Sequence, residues 1–180
     1  MRALSDAHTH LHLHPSPQAA LLRAASAGVS PIVVCATQPS DFPLVLSLCA
    51  ASPSRLIASF GVHPWRAAAA GPPDSWLPSL EAHLDAAAAA GVRAGVGEIG
   101  LDRGPRCPGG EGGWEAQVGA HTAQLRLAAR RGVAASVHCV RAQPQLLAAR
   151  GGTRSPRCGR CQLRKSPSKQ TRPISPFCTM

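Results

Sequence analysis

The 180-residue sequence contains no tyrosine, and aromatic residues make up only 3% of it. Its core must therefore be built mainly from alanine, valine and leucine. No run of about 20 apolar residues is present, which argues against a membrane-spanning helix. The seven cysteines are odd in number and scattered, which favours a reduced chain over a disulfide scaffold. The N-terminus turns polar too early for a signal peptide, so we expect a cytoplasmic protein, or a nuclear one.

Acidic residues are absent from the last thirty positions, and lysine is absent from all positions before them. Residues 151–180 hold 7 of the 19 basic residues and none of the 9 acidic ones, so the net charge of +10 is unevenly distributed. This segment is rich in proline, serine and arginine and shows no periodicity, which predicts a disordered basic tail. The motif CGRC at 158–161 has no second ligand pair there and does not predict a zinc site. We therefore divide the chain into a domain at 1–150 and a tail at 151–180.

What is present in the first 150 residues is a recurring unit: an amphipathic stretch, a glycine, and a short apolar run. The glycines are Gly28, Gly91 and Gly132, each suited to the left-handed position after a helix. We predict strands near 3–8, 30–36, 56–62, 92–98 and 133–138, and helices near 17–27, 40–51, 75–90, 114–131 and 142–149. Such alternation is typical of a parallel α/β sheet or barrel, here with five β/α units.

The segment DAHTHLHLH at 6–14 places four histidines at alternate positions. Alternate residues of a strand point to the same face, so His8 and His10 can bind one metal ion together. The pattern alone leaves a structural role equally open. His12 and His14 approach a proline, and we expect them to be exposed in a loop.

Three further candidates, His63, Glu98 and His138, each end a predicted strand. Parallel β/α folds assemble their sites at this edge, and a core histidine has no reason to follow that rule. Histidines with a carboxylate are suitable ligands for Zn²⁺ or Mn²⁺. The structural alternative is a buried ion pair between Glu98 and Arg103.

These segments resemble the TatD family of metal-dependent deoxyribonucleases, which belongs to the amidohydrolase-like barrels. The matching pieces are DAHTHL (6–11), FGVHPW (60–65), GVGEIGLD (95–102), HTAQLRLAARRGV (121–133) and SVHCVRA (136–142). The resemblance implies a (β/α)₈ TIM barrel, of which this chain would form about five units. It also implies two divalent metal ions (Mg²⁺, Mn²⁺ or Zn²⁺) and DNA as the substrate, hydrolysed by a metal-activated water.

The resemblance also implies roles for individual residues. The implied metal ligands are His8, His10, Glu98 and His138. Glu98 would be catalytic as well, because the family shares this carboxylate between both ions. His63 and Asp102 match positions near the substrate, and Asp6 matches a structural position that supports the ligands.

The sequence departs from the family after residue 142. A further histidine and a further aspartate of the family have no counterpart, since no histidine follows His138 and no aspartate follows Asp102. The last three β/α units are missing, and the junction resembles a splice product, a retained intron or a frameshifted gene model. We therefore expect an incomplete second metal site, weak metal binding and little nuclease activity.

Two other functions remain open at this stage. One is an amidohydrolase-like enzyme that acts on a small amide or ester, although such enzymes usually carry a metal-bridging lysine and residues 1–150 have none. The other is a non-catalytic product, either an unstable or regulatory fragment or a basic-tailed nucleic-acid binder. The sequence leaves the oligomeric state open, although unpaired sheet edges favour self-association.

Overall fold

The computed structural model describes residues 4–105, 107 and 113–151. Its strands are β1 (Leu4–Thr9), β2 (Val29–Cys35), β3 (Leu56–Phe60), β4 (Ala94–Asp102) and β5 (Ala135–Val140). Its helices are α1 (Pro17–Ser26), α2 (Phe42–Ala50), α3 (Ala67–Ala70), α4 (Leu77–Ala89), α5 (Gly113–Arg131) and α6 (Gln143–Gly151). All strand pairs are parallel and follow the chain order β1-β2-β3-β4-β5. The sheet curls into a half-barrel with helices, which confirms the predicted partial barrel of five β/α units.

The core consists of small aliphatic side chains with a few phenylalanines, as the composition requires. Val34, Ala58 and Val96, on three neighbouring strands, are completely buried. Phe42 of α2 packs edge-on against Phe60 of β3, with ring centroids 5.8 Å apart. Helices therefore cover the middle strands, which explains their nearly continuous apolar character.

The outer edges of β1 and β5 have no strand partner among the described residues. β5 is only half-buried along its whole length, whereas β4 is buried from its second residue to its last. Within the same described ranges, no helix has the length and apolar character needed to cross a membrane.

The structure corrects the predicted ends of three strands. β3 ends at Phe60, two residues earlier than predicted. β4 continues four residues past Glu98, because it still pairs with β5 as far as Asp102 opposite Val140. β5 likewise continues two residues past His138. Glu98 and His138 therefore lie inside their strands, not at the ends, while His63 follows the end of β3. The proposed tail and its CGRC motif lie outside the described residues.

Candidate metal centre

The first half of the site is formed by the two histidines of β1. The main-chain N–H of His8 donates to Asp6 Oδ1 at 3.0 Å, so Asp6 has the supporting position expected of it. The Nε2 atoms of His8 and His10 lie 3.3 Å apart. His10 Nδ1 lies 2.8 Å from the carbonyl oxygen of Cys35 at the end of β2. Because a carbonyl only accepts, the proton of His10 lies on Nδ1, and its Nε2 lone pair is free to bind a cation.

Glu98 is the carboxylate on which the histidines converge. Its Oε2 lies 3.2 Å from His8 Nε2 and 3.7 Å from His10 Nε2, and its Oε1 lies 2.9 Å from His138 Nδ1. Glu98 reaches this position because glycines flank it closely on β4. Gly100 has a φ of +147°, and a Cβ there would lie 1.9 Å from the carbonyl oxygen of His138. Only glycine allows β4 to approach β5 so closely.

The three donor atoms from β1 and β4 fit a single small cation. A tetrahedral ion about 2.0–2.1 Å from its ligands places those ligands about 3.3 Å apart. The corresponding separations among His8, His10 and Glu98 are 3.2, 3.3 and 3.7 Å. Imidazole and carboxylate donors of this kind suit Zn²⁺ and Mn²⁺. These three residues can therefore hold one ion.

His138 forms the second half of the site, and Asp102 orients it. His138 Nε2 lies 2.9 Å from Asp102 Oδ2, so the ring donates there and directs Nδ1 at Glu98. Asp102 also accepts hydrogen bonds from Trp65 Nε1 at 2.6 Å and from the main-chain N–H of Gly104 at 2.6 Å. A buried carboxylate that fixes the tautomer of a histidine is a common support for a metal ligand. Here Asp102 contacts three groups of the protein itself, while its predicted contact with substrate stays a prediction.

His63 lies in the same cluster, but its hydrogen bonds give it a different chemistry. Its Nε2 lies 3.3 Å from His138 Nδ1 and 3.7 Å from Glu98 Oε2. Its Nδ1 accepts a hydrogen bond from the main-chain N–H of Trp65 at 3.1 Å, so the proton of the neutral ring lies on Nε2. Burial lowers the pKa of His63 to about 4, which keeps the ring neutral at pH 7. His63 is therefore a hydrogen-bond donor aimed into the site, and its lone pair is not available to an ion there.

The pKa values of the site residues show that the charged carboxylate of Glu98 is strongly stabilised by the histidines around it. Burial raises its pKa, but hydrogen bonds with His138 and His8 outweigh burial and hold the pKa well below its usual range. The pKa of His8 is raised to about 10, first by a side-chain hydrogen bond with Cys35 and then by Glu98. Burial lowers the pKa of His138, yet Glu98 and Asp102 raise it overall. Glu98 therefore favours positive charge on the groups that face it.

All six site residues predicted from the sequence lie together: His8, His10, His63, Glu98, Asp102 and His138. The alternative ion pair is wrong, because the guanidinium of Arg103 lies over the ring of Trp114, 4.1 Å from its centroid. The exposed loop position expected for His12 is also wrong. A 3₁₀ turn at Leu11–Leu13 directs this ring inward, where Nε2 lies 3.4 Å from Asp41 Oδ2 and 1% of the side chain is exposed. His14 is exposed as predicted.

Two supporting groups escaped the sequence interpretation. The Cys35 carbonyl is a main-chain group, and no residue type could have indicated it. Trp65 could have been identified from the sequence, because it belongs to the segment FGVHPW that resembles the family. Its main-chain N–H sets the tautomer of His63, and its indole N–H holds Asp102.

The comparisons with known proteins agree with this architecture. The family model described as TatD related DNase matches residues 5–162. The crystal structure of YjjV, a TatD homologue from Escherichia coli K12, is 32% identical in sequence, with a TM-score of 0.69 over 81% of this chain and 54% of that chain. A TatD family hydrolase from Entamoeba histolytica is 18% identical, with a TM-score of 0.67 over 83% of this chain and 54% of that chain, and so supports the fold alone. No curated protein sequence matches the chain.

The chain thus spans about half the length of the solved structures that it resembles. The match of the family model covers most of the 180 residues, including every residue of the site described above. The chain belongs to the TatD related DNase family.

Proposed function

We propose that this chain binds divalent cations at Glu98 and acts, in the manner of its family, as a metal-dependent hydrolase of DNA phosphodiester bonds. The observation that supports this most directly is the convergence of His8, His10 and His138 on the two oxygens of one carboxylate. A structural carboxylate needs one partner, whereas this one faces four imidazoles, three from two other strands and that of His63 beyond the end of β3. A shared cation explains that excess.

The residues of the site would have different chemical roles. His8, His10 and Glu98 would hold one ion, and His138 with the second oxygen of Glu98 would contribute to another. Divalent ions in such sites lower the pKa of a water molecule and neutralise charge on a phosphate. The Nε2–H of His63 is positioned to donate to a phosphate oxygen, and burial keeps this donor neutral at pH 7.

Among the described residues, the site offers no carboxylate that could serve as a general base. Glu98 faces the ions, and Asp102 already accepts from Trp65, Gly104 and His138. No carboxylate of the described site is therefore free to take the proton of an attacking water. We expect weak metal binding and slow turnover, since a positioned base typically contributes about 10²–10⁴-fold to the rate.

The test is hydrolysis by the purified 180-residue chain in Mg²⁺, Mn²⁺ or Zn²⁺. Substrates are single-stranded DNA, double-stranded DNA and bis(p-nitrophenyl) phosphate. Glu98→Gln is the inactivating variant, and Glu115→Gln, an exposed carboxylate on α5, is the matched control. We expect slow, metal-dependent cleavage that Glu98→Gln abolishes and Glu115→Gln retains. Equal rates in all three proteins would contradict the proposal.

The alternative activity on small amides or esters is tested with p-nitrophenyl acetate in the same metals. Cleavage of this ester that depends on Glu98, without cleavage of any phosphodiester, would replace the proposed substrate class. Metal binding without hydrolysis of any substrate would assign the chain to the non-catalytic alternative.

A further inference from the structure

Helix α5 carries two buried amide side chains that face the site from behind. Gln124 is completely buried, and both ends of its amide bind Val62, the residue before His63. Its Oε1 accepts from the Val62 N–H at 2.7 Å, and its Nε2 donates to the Val62 carbonyl at 3.2 Å. This pair of bonds fixes the chain just beyond the end of β3.

Gln117 makes the equivalent contact with β4. It is 4% exposed, and its Oε1 accepts from the main-chain N–H of Asp102 at 2.8 Å. Its Nε2 lies 3.1 Å from the sulfur of Cys107. Gln117 and Gln124 are seven residues apart, about two helical turns, and so lie on the same face of α5.

Packing alone does not explain amides at these positions. Ala120, Leu127 and Ala128 on the same face of α5 are buried apolar residues, and His121 is the one other buried polar residue of this helix among the described residues. A buried amide costs stability unless it is hydrogen-bonded, and an aliphatic side chain of similar volume would pack as well. The ladder between β3 and β4 has its last register pair at Phe60 and Val96, so the main chain beyond it needs other partners. The two glutamines supply these partners where His63 and Asp102 must be placed.

We propose that Gln117 and Gln124 are positioning residues, through which α5 sets the geometry of the metal centre. Gln117 fixes Asp102, which holds His138 with Nδ1 directed at Glu98. Gln124 fixes Val62, which places the donor nitrogen of His63. This inference rests on the proposed function in that His138 and His63 act on an ion and a substrate, respectively. The two glutamines themselves would contact neither the ion nor the substrate.

The test compares Gln117→Met and Gln124→Met, which keep approximate volume but remove the amide. Leu127→Ala is the matched control, because it removes a completely buried side chain of the same helix that cannot hydrogen-bond to the main chain at either strand end. Three readouts are taken on the full chain: amide hydrogen exchange at Val62 and Asp102, Zn²⁺ affinity, and the melting temperature. The ring ¹⁵N signals of His10 and His138 report Zn²⁺ binding at the two halves of the site separately.

The two variants should differ from each other and from the control. In Gln117→Met, exchange at Asp102 accelerates, and Zn²⁺ affinity reported by His138 falls about 10–100-fold while that reported by His10 is retained. In Gln124→Met, exchange at Val62 accelerates and the His63 ring signals shift, with Zn²⁺ affinity retained. Gln117→Glu, which keeps an acceptor for the Asp102 N–H, restores part of the affinity at His138. Leu127→Ala lowers the melting temperature without this pattern.

Unchanged exchange at Val62 and Asp102 would overturn the inference. The inference would also be overturned if Gln117→Met lost Zn²⁺ affinity equally at His10 and His138, and if Leu127→Ala showed the same loss at an equal decrease in melting temperature. If the unmodified chain binds no Zn²⁺ at His138, the proposed function fails at that half of the site. The ring signals of His138 and His63 in the metal-free variants then decide the inference: displaced signals support it, and unchanged signals refute it.

Discussion

His8 has a pKa far above that of an ordinary histidine, which links the stability of the metal-free protein to pH. Its pKa is raised from 6.5 to about 10, through Cys35 and then Glu98. A raised pKa stabilises the folded state fully below pH 6.5, and this contribution is lost as the pH rises towards 10. We expect the melting temperature in EDTA to fall between these pH values. His8→Ala should flatten that decline.

The matched control for this prediction is His14→Ala, which removes an exposed histidine outside the site. Its pH profile should follow that of the unmodified chain, because other groups that titrate above pH 8 are common to both. A profile of His8→Ala as steep as that of His14→Ala would show that His8 does not hold its proton through this range.

His63 illustrates how the second ring nitrogen decides what a histidine can do. Since Trp65 donates to Nδ1, Nε2 keeps its proton and donates. We expect His63→Ala to retain the Zn²⁺ affinity of the unmodified chain within about threefold, while hydrolysis falls about 10²–10³-fold, as for loss of one transition-state donor. His63→Gln, whose amide can donate from a similar position, should recover part of the rate. Calorimetric titration with Zn²⁺ checks the first expectation, since loss of a true ligand would weaken binding much more.

At the scale of elements, the contact between β4 and β5 depends on the absence of a side chain at Gly100. A Cβ at this position would lie 1.9 Å from the His138 carbonyl oxygen, and φ is +147°. Gly100→Ala must therefore separate the strands or strain the backbone, and we expect a loss of at least about 2 kcal/mol in unfolding free energy. Denaturant titration measures this loss. Gly119→Ala on α5, where a Cβ has open space, is the control and should change stability little.

The same strand shows how far the sequence alone could predict this molecule. Periodicity and the glycines after helices predicted all five strands, because both features are local. The extension of β4 to Asp102 depends on pairing with β5, which no local pattern contains. The inward turn of His12 and the tautomer of His63 have the same origin, since Asp41 and the main chain of Trp65 set them through tertiary contacts and local hydrogen bonds.

At the scale of the whole molecule, the site joins strands that are not neighbours. His8 belongs to β1 and Glu98 to β4, and three strand spacings of about 4.8 Å would separate these strands by about 14 Å in a flat sheet. Their side chains nevertheless approach to 3.2 Å, because the sheet is curled. An ion held by both residues would therefore connect β1 to β4 and stabilise the curvature of the half-barrel. Metal binding and stability should be coupled through the whole sheet, including the edge of β1 that has no strand partner within the described part of the chain.

This coupling predicts the effect of a cation on unfolding. A ligand at about 100 times its dissociation constant stabilises the folded state by about 2.7 kcal/mol. For a chain of this length, that raises the melting temperature by about 5–11 °C. Calorimetry in EDTA and in excess Zn²⁺ should show this increase for the unmodified chain and for Glu115→Gln. Glu98→Gln should show almost none, because without the carboxylate the histidines of β1 no longer share an ion with β4. An equal increase in Glu98→Gln would place the stabilising ion elsewhere in the chain and would remove the physical basis for a metal centre at Glu98.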